Sequence, residues 1–184
     1  MMSFDRFEKA ADFLDKAIAA SRGKNGEMTK TLKAALLDEF EEEMIATRRI
    51  LECVADEKFD WRPHEKSFTL CKLANHVAAI PGIAEVIVKK RGSRPPEATS
   101  NAELLAYFDR NTASCREALA SLSDEQLAEN VLVMPTVSKP LWSVLRGRGL
   151  MNHLIHHRGQ LSVYLRLLDV PVPGMYGPSA DEKS

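Results

Sequence analysis

Residues 152–178 read NHLIHHRGQLSVYLRLLDVPVPGMYGP, and the stretch divides at Leu168 into two unlike halves. The first half is the strong end of a helix expected from about Leu141 to Leu168. In the second half Pro171, Pro173 and Pro178 stand too close together for any helix, so the tail is expected to run over the surface as extended chain. Upstream, Gly147 and Gly149 each weaken the early turns by ~1 kcal/mol, and a bend is expected there.

Working outward from this helix, the rest of the chain also reads as helices. Leu32, Leu36, Phe40, Met44, Leu51 and Val54 recur at helical spacing and predict a helix from about Thr29 to Ala55, with the acidic run Glu41 to Glu43 facing water. Pro63 interrupts the connector that follows, and Ser67 or Thr69 can cap the next helix, which turns Leu70, Leu73, Ala74, Val77 and Ile80 inward. Pro81 removes an amide within it, so a kink or break is expected there, the helix continuing or restarting to about Lys90. The patterns Ser100-x-x-Glu103 and Ser123-x-x-Gln126 open a further long helix, ending near Leu122, and a short one. Residues 131–140, VLVMPTVSKP, read as an irregular linker. At the start of the chain, Phe4, Phe7, Ala11, Leu14 and Ile18 predict one more helix, closed by Gly23.

Alternating strand patterns are nearly absent and no internal repeat is visible, so the fold class is all-α: a four-helix bundle with an extra N-terminal helix. Residues 1–28 form the helical extension, and residues 29–184 form the bundle domain with its extended C-terminal tail. At 184 residues with 45% hydrophobic and 28% charged side chains, this is an ordinary single-domain mixture.

A formal net charge of −1 offers no field for nucleic acid or an anionic membrane. The longest uncharged stretch in the apolar middle, Leu73 to Ala84, is well short of the roughly 20 residues that cross a bilayer, so no membrane span is expected. Charged residues from Asp5 onward leave no signal-peptide core, which points to the cytoplasm. Cys53, Cys71 and Cys115 are odd in number and lack a C-x-x-C pair, so they are read as small buried hydrophobes.

The five histidines fall in two places: His64 and His76, then His153, His156 and His157. His153 and His157 lie four residues apart, on one helical face and within reach of a single ion. His156 points about 100° away from His157 and is set aside as a ligand. His76 shares the apolar side of its helix with Leu73 and Ile80, where an imidazole needs a partner. Spacing alone leaves two readings open: a three-histidine metal site, or a core histidine bonded to a carbonyl or carboxylate with a half-exposed pair elsewhere. Three neutral imidazoles would suit zinc, nickel, iron or copper and would leave a coordination position open, as catalytic sites do.

The blocks WRPHEKSFTLCKLANHVAAIPG at 61–82 and NHLIHHRGQLSVYLRLLDVPVPGMYGP at 152–178 together resemble the DinB-like superfamily of metal-binding helical proteins, which includes YfiT-type members. The resemblance runs from about Thr29 to Pro178 and implies a four-helix bundle holding a divalent metal, zinc or nickel, through His76 in NHVA and through His153 and His157 in NHLIHHRGQ. It also implies a homodimer acting on a small-molecule substrate. The activity implied is that of a metal-dependent transferase using a low-molecular-weight thiol, or a hydrolase, on a small electrophile. A non-catalytic, stress-responsive metal-binding module is the alternative. No acid stands inside H-x-x-x-H, so zincin-type peptide hydrolysis is not indicated.

Neighbouring residues carry their own expectations. Arg158 is expected in a helix-surface salt bridge, with an acidic substrate group as the alternative partner, Gly159 at a close helix approach, and Trp61 and Trp142 as core anchors. Gln160 and Tyr164 are read as donors behind the ligands or as packed polar tips. Tyr176 is read as pinning the tail.

Overall fold

The computed structural model describes residues 30–90 and 97–182. The N-terminal helix expected before Gly23 therefore lies outside the described residues.

Four long helices make the bundle: α1 (Leu32–Leu51), α2 (Leu70–Lys89), α3 (Asn101–Ala120) and, after shorter elements, α6 (Met151–Leu167). Each of the first three begins where a hydroxyl can take a free backbone amide. Thr31 accepts from the amide of Ala34, Thr69 from that of Lys72, and Ser100 from that of Glu103. Of the two candidate caps for α2, the structure uses Thr69. The short helix α4 (Asp124–Ala128) opens with a complete capping box, in which Ser123 and Gln126 bond each other's backbone amides.

The helices pack in a ring, α3 and α6 each lying against both α1 and α2, so that α1 and α2 form one diagonal pair and α3 and α6 the other. Phe40, Ile50, Leu70, Leu73, Ile80, Phe108, Leu119, Leu154 and Leu161 fill the interior and are essentially without solvent exposure. α2 is the most apolar of the four. It is long and apolar enough by composition to cross a membrane, which the uncharged stretch Leu73–Ala84 understated, but its buried residues from Leu70 to Ala84 pack in the bundle core. The helix runs through Pro81 without ending. Beside it Asn111 of α3 donates from Nδ2 to the carbonyl of Ala78 at 2.8 Å, and Gly82 leaves the space that the Asn111 side chain occupies.

Two expectations change between α4 and α6. Residues 130–140 form an antiparallel hairpin, β1 (Asn130–Met134) and β2 (Val137–Pro140), rather than an irregular linker. Val131 and Val133 are half-buried while Leu132 and Met134 are exposed, so the outward face is apolar too and the sequence shows no alternation to read. The single helix expected from Leu141 is also broken: α5 (Leu141–Val144) passes into a π-helical turn over Leu145–Gly149, with Gly147 non-helical, before α6 starts. Gly149 is required at this break, because a Cβ there would stand 2.7 Å from the Val144 carbonyl oxygen and 2.9 Å from Ile87 Cδ1.

The tail after Leu168 is non-helical, as its prolines require, and is tied down by side chains. Asp181 accepts from the Arg166 guanidinium and from the amide of Val172, and Glu182 accepts from Arg49 and from the amide of Gly174. The Arg166 hydrogen bond, followed by that of the Val172 amide, holds the Asp181 carboxyl down at about 2. Among the cysteines only Cys115 is fully buried, its thiol pushed up to about 12 by burial. Cys53 and Cys71 are half-buried, with their thiols also raised by burial.

Candidate metal centre

His76 lies in the second turn of α2, while His153 and His157 lie one turn apart in the first half of α6. Because α2 and α6 are neighbours in the ring, the three imidazoles meet at their interface. Ring centroids stand 5.0 Å apart for His76 and His153, 4.4 Å for His76 and His157, and 4.9 Å for His153 and His157. One ring nitrogen from each lies within 4.8 Å of the other two, and all three residues are half-buried. No carboxylate or cysteine joins this group among the described residues.

The Nε2 atoms of His76 and His153 are 3.1 Å apart. Two nitrogens bound to one ion at 2.0–2.1 Å would stand about 3 to 3.4 Å from each other, so the pair is spaced as ligands of a common ion would be. Opposite its Nε2, His153 has a buried Nδ1 with no hydrogen-bond partner. Burial, followed by the charges His157, His156 and Arg148 would bring, lowers the pKa of His153 and favours the neutral imidazole that a cation needs. The donor set thus fits a divalent ion of borderline softness.

Behind the cluster, His157 Nδ1 is 2.8 Å from Gln160 Oε1. The amide oxygen can only accept, so Nδ1 carries the proton and Nε2 presents its lone pair. Tyr164 stands one turn further on and has a different part: its hydroxyl donates to the Phe68 carbonyl at 3.3 Å, and its ring meets Trp61 edge-on at 5.6 Å. His64 lies apart in the loop before α2, its Nδ1 accepting from the amide of Lys66. His156 is exposed and outside the cluster, as its angular offset requires. With His153, Arg148 and Asn152 it lines a surface pocket of about 410 Å³ against the cluster.

Several neighbouring expectations are corrected. Arg158 is not in a surface salt bridge: it is 2% exposed, and its partner Glu43, read as part of a solvated acidic run, is 7% exposed. Their closest approach, Nη2 to Oε2 at 2.7 Å, is an ionic contact without the alignment of a hydrogen bond, while Nη2 donates to the Tyr176 hydroxyl at 2.7 Å. Tyr176 in turn donates to Glu43 Oε1 at 2.9 Å, and Arg158 Nη1 reaches the Glu43 carbonyl and Thr47 Oγ1. Tyr176 thus pins the tail while its ring stays mostly in solvent. Gly159 marks no close helix approach, since a Cβ there would meet nothing within 4 Å. Trp142 is exposed rather than a core anchor, and Trp61 is half-buried.

Asn75, beside His76, was not singled out from sequence. It is buried, accepts from the amide of Ala98 at 2.8 Å and donates to the Ala98 carbonyl at 3.0 Å, fixing the chain before α3 against α2.

Comparison with known proteins finds relatives of the chain. The family model described as DinB superfamily matches residues 39–161, and a DinB family model matches residues 148–184. The chain is 28% identical over 151 residues to the uncharacterized protein YrdA of Bacillus subtilis (strain 168), covering 79% of this chain and 89% of that protein. The crystal structure of a DinB-like protein from Bacillus cereus ATCC 10987 is similar at a TM-score of 0.65 and 26% identity, over 77% of this chain and 95% of the other. The DinB-like protein YjoA of Bacillus subtilis shares the fold at a TM-score of 0.62 and 20% identity, over 77% of this chain and 97% of its own.

Proposed function

The chain belongs to the DinB superfamily, and from that premise we propose that His76, His153 and His157 hold one divalent metal ion, zinc or nickel, at a catalytic centre. The single observation that carries the reading is the convergence of three imidazole nitrogens from two helices, with the proton on His157 fixed away from the centre by Gln160. The ion, when bound, supplies Lewis acidity that favours the deprotonated form of a water or thiol donor.

The half-buried state of the ligands supports a site open to a further donor over a sealed structural one. The reaction proposed is transfer of a low-molecular-weight thiol to a small electrophile, with hydrolysis of such a molecule as the second form. His76, His153 and His157 orient the reacting donor, and the walls of α2 and α6 limit the approach of water from the bundle side. The setting proposed is the cytoplasm, with the protein acting as a homodimer.

Elemental analysis of protein purified without added metal tests the reading, with His157→Ala alongside. About one ion per chain in the wild type, lost in the variant, together with turnover in a thiol-conjugation screen, is the expected result. Absence of stoichiometric metal after reconstitution with zinc and with nickel overturns it.

A further inference from the structure

The pocket against the cluster is built from donors. Arg148, Asn152, His153 and His156 line it, and no carboxylate is among them. Arg148 and Arg146 both belong to the turn that breaks the chain before α6, yet they differ in one respect. Arg146 is paired with Glu39 at 3.0 Å, whereas Arg148 has no ion pair or hydrogen bond among the described residues. Asn152 lies in the first turn of α6, where no side chain caps the helix and no acidic residue answers its positive end.

An uncompensated guanidinium beside a cation site raises the energy of the bound cation unless an anion is shared between them. Arg148, Asn152 and His156 can each donate to such an anion, and Arg148 offers the planar fork that matches a carboxylate or phosphate.

We infer that Arg148 and Asn152 form the subsite that binds an anionic group of the substrate, a carboxylate or phosphate, with the reacting part of the molecule directed toward the histidine cluster. The inference rests on the catalytic reading above for the role of the cluster. The subsite itself rests on the pocket alone. Arg148 is then a specificity-determining residue, and the pocket's volume of about 410 Å³ fits a small acid rather than a polymer.

The test is a titration of full-length protein, zinc-loaded and metal-free, with succinate and with its uncharged analogue succinamide, followed by NMR shifts of the Asn152 and His153 amides. Wild type, Arg148→Ala, Arg148→Lys and His157→Ala are compared. Arg148 is exposed, so its truncation leaves the fold intact, which circular dichroism checks. Expected are succinate binding at least tenfold weaker in Arg148→Ala, an intermediate value in Arg148→Lys, equal succinamide response in wild type and Arg148→Ala, and unchanged metal content. Equal succinate affinity in wild type and Arg148→Ala overturns the inference. So does succinate binding that is lost in His157→Ala and kept in Arg148→Ala, because the ion alone would then hold the anion. A wild type that binds no metal but keeps an Arg148-dependent preference for succinate overturns the catalytic reading and sustains the anion subsite.

Discussion

At the scale of single residues, one turn of α6 carries two unlike devices. His157 faces the cluster with Gln160 bonded to its Nδ1, while Arg158, the next residue, is buried against Glu43 and Tyr176. Gln160→Leu leaves His157 in place but frees its ring and tautomer, and a competition titration is expected to show metal affinity lowered about 10- to 100-fold. Secondary structure by circular dichroism should not change. Arg158→Met acts on stability instead. It strands Glu43 in a site only 7% exposed, and urea unfolding of the metal-free protein is expected to show a loss of about 3 kcal/mol. The double variant Glu43→Leu with Arg158→Met should recover much of that loss, since no uncompensated charge is left behind. The histidines were legible in the sequence because helical spacing and the motif both point at them. Arg158 was not, because a charged residue in a helix reads as surface, and its three partners, Tyr176, Thr47 and Glu43, lie 18 to 115 positions away in the sequence.

The elements were legible where a local signal sets them. Thr69, Ser100 and Ser123 each begin the helix that its hydroxyl predicts, since capping is decided within three residues, while Thr31 caps α1 two residues after the start expected at about Thr29. The hairpin was hidden because Leu132 and Met134 are apolar on the exposed face, which erases the alternation that identifies a strand. The break before α6 was legible only as a weakness: Gly147 and Gly149 predict a bend, but that the turn becomes π-helical depends on packing against Ile87 of α2. Gly149→Ala tests that dependence. The added methyl would meet backbone at 2.7 Å, and a destabilisation of about 1 to 3 kcal/mol is expected in thermal unfolding, with a further drop in metal affinity as the start of α6 shifts.

For the molecule as a whole, the bundle gives the centre its floor and the tail gives α6 its outer brace. The brace responds to acid in a defined window. Asp181 has its carboxyl lowered from 3.8 to about 2 by Arg166 and the Val172 amide, so the stability it contributes is fully present above pH 3.8 and is lost as pH falls toward 2. Limited proteolysis with pepsin should therefore find the tail protected at pH 4 and cleaved near pH 2, and Asp181→Asn should extend the cleavage to pH 4. The bundle itself was legible from composition and helical periodicity, while the ring order, with α1 and α2 diagonal, follows from tertiary packing alone. One consequence of the buried Arg158 reaches back to the centre. His157 and Arg158 are consecutive, about 100° apart around the helix. A rotation of α6 about its long axis that would swing the imidazoles away from His76 must also drag the guanidinium off Glu43. Glu43 thus works as a keyway on α1: it fixes the angular setting of α6, and with it the aim of both histidines, from the side of the helix that carries no chemistry.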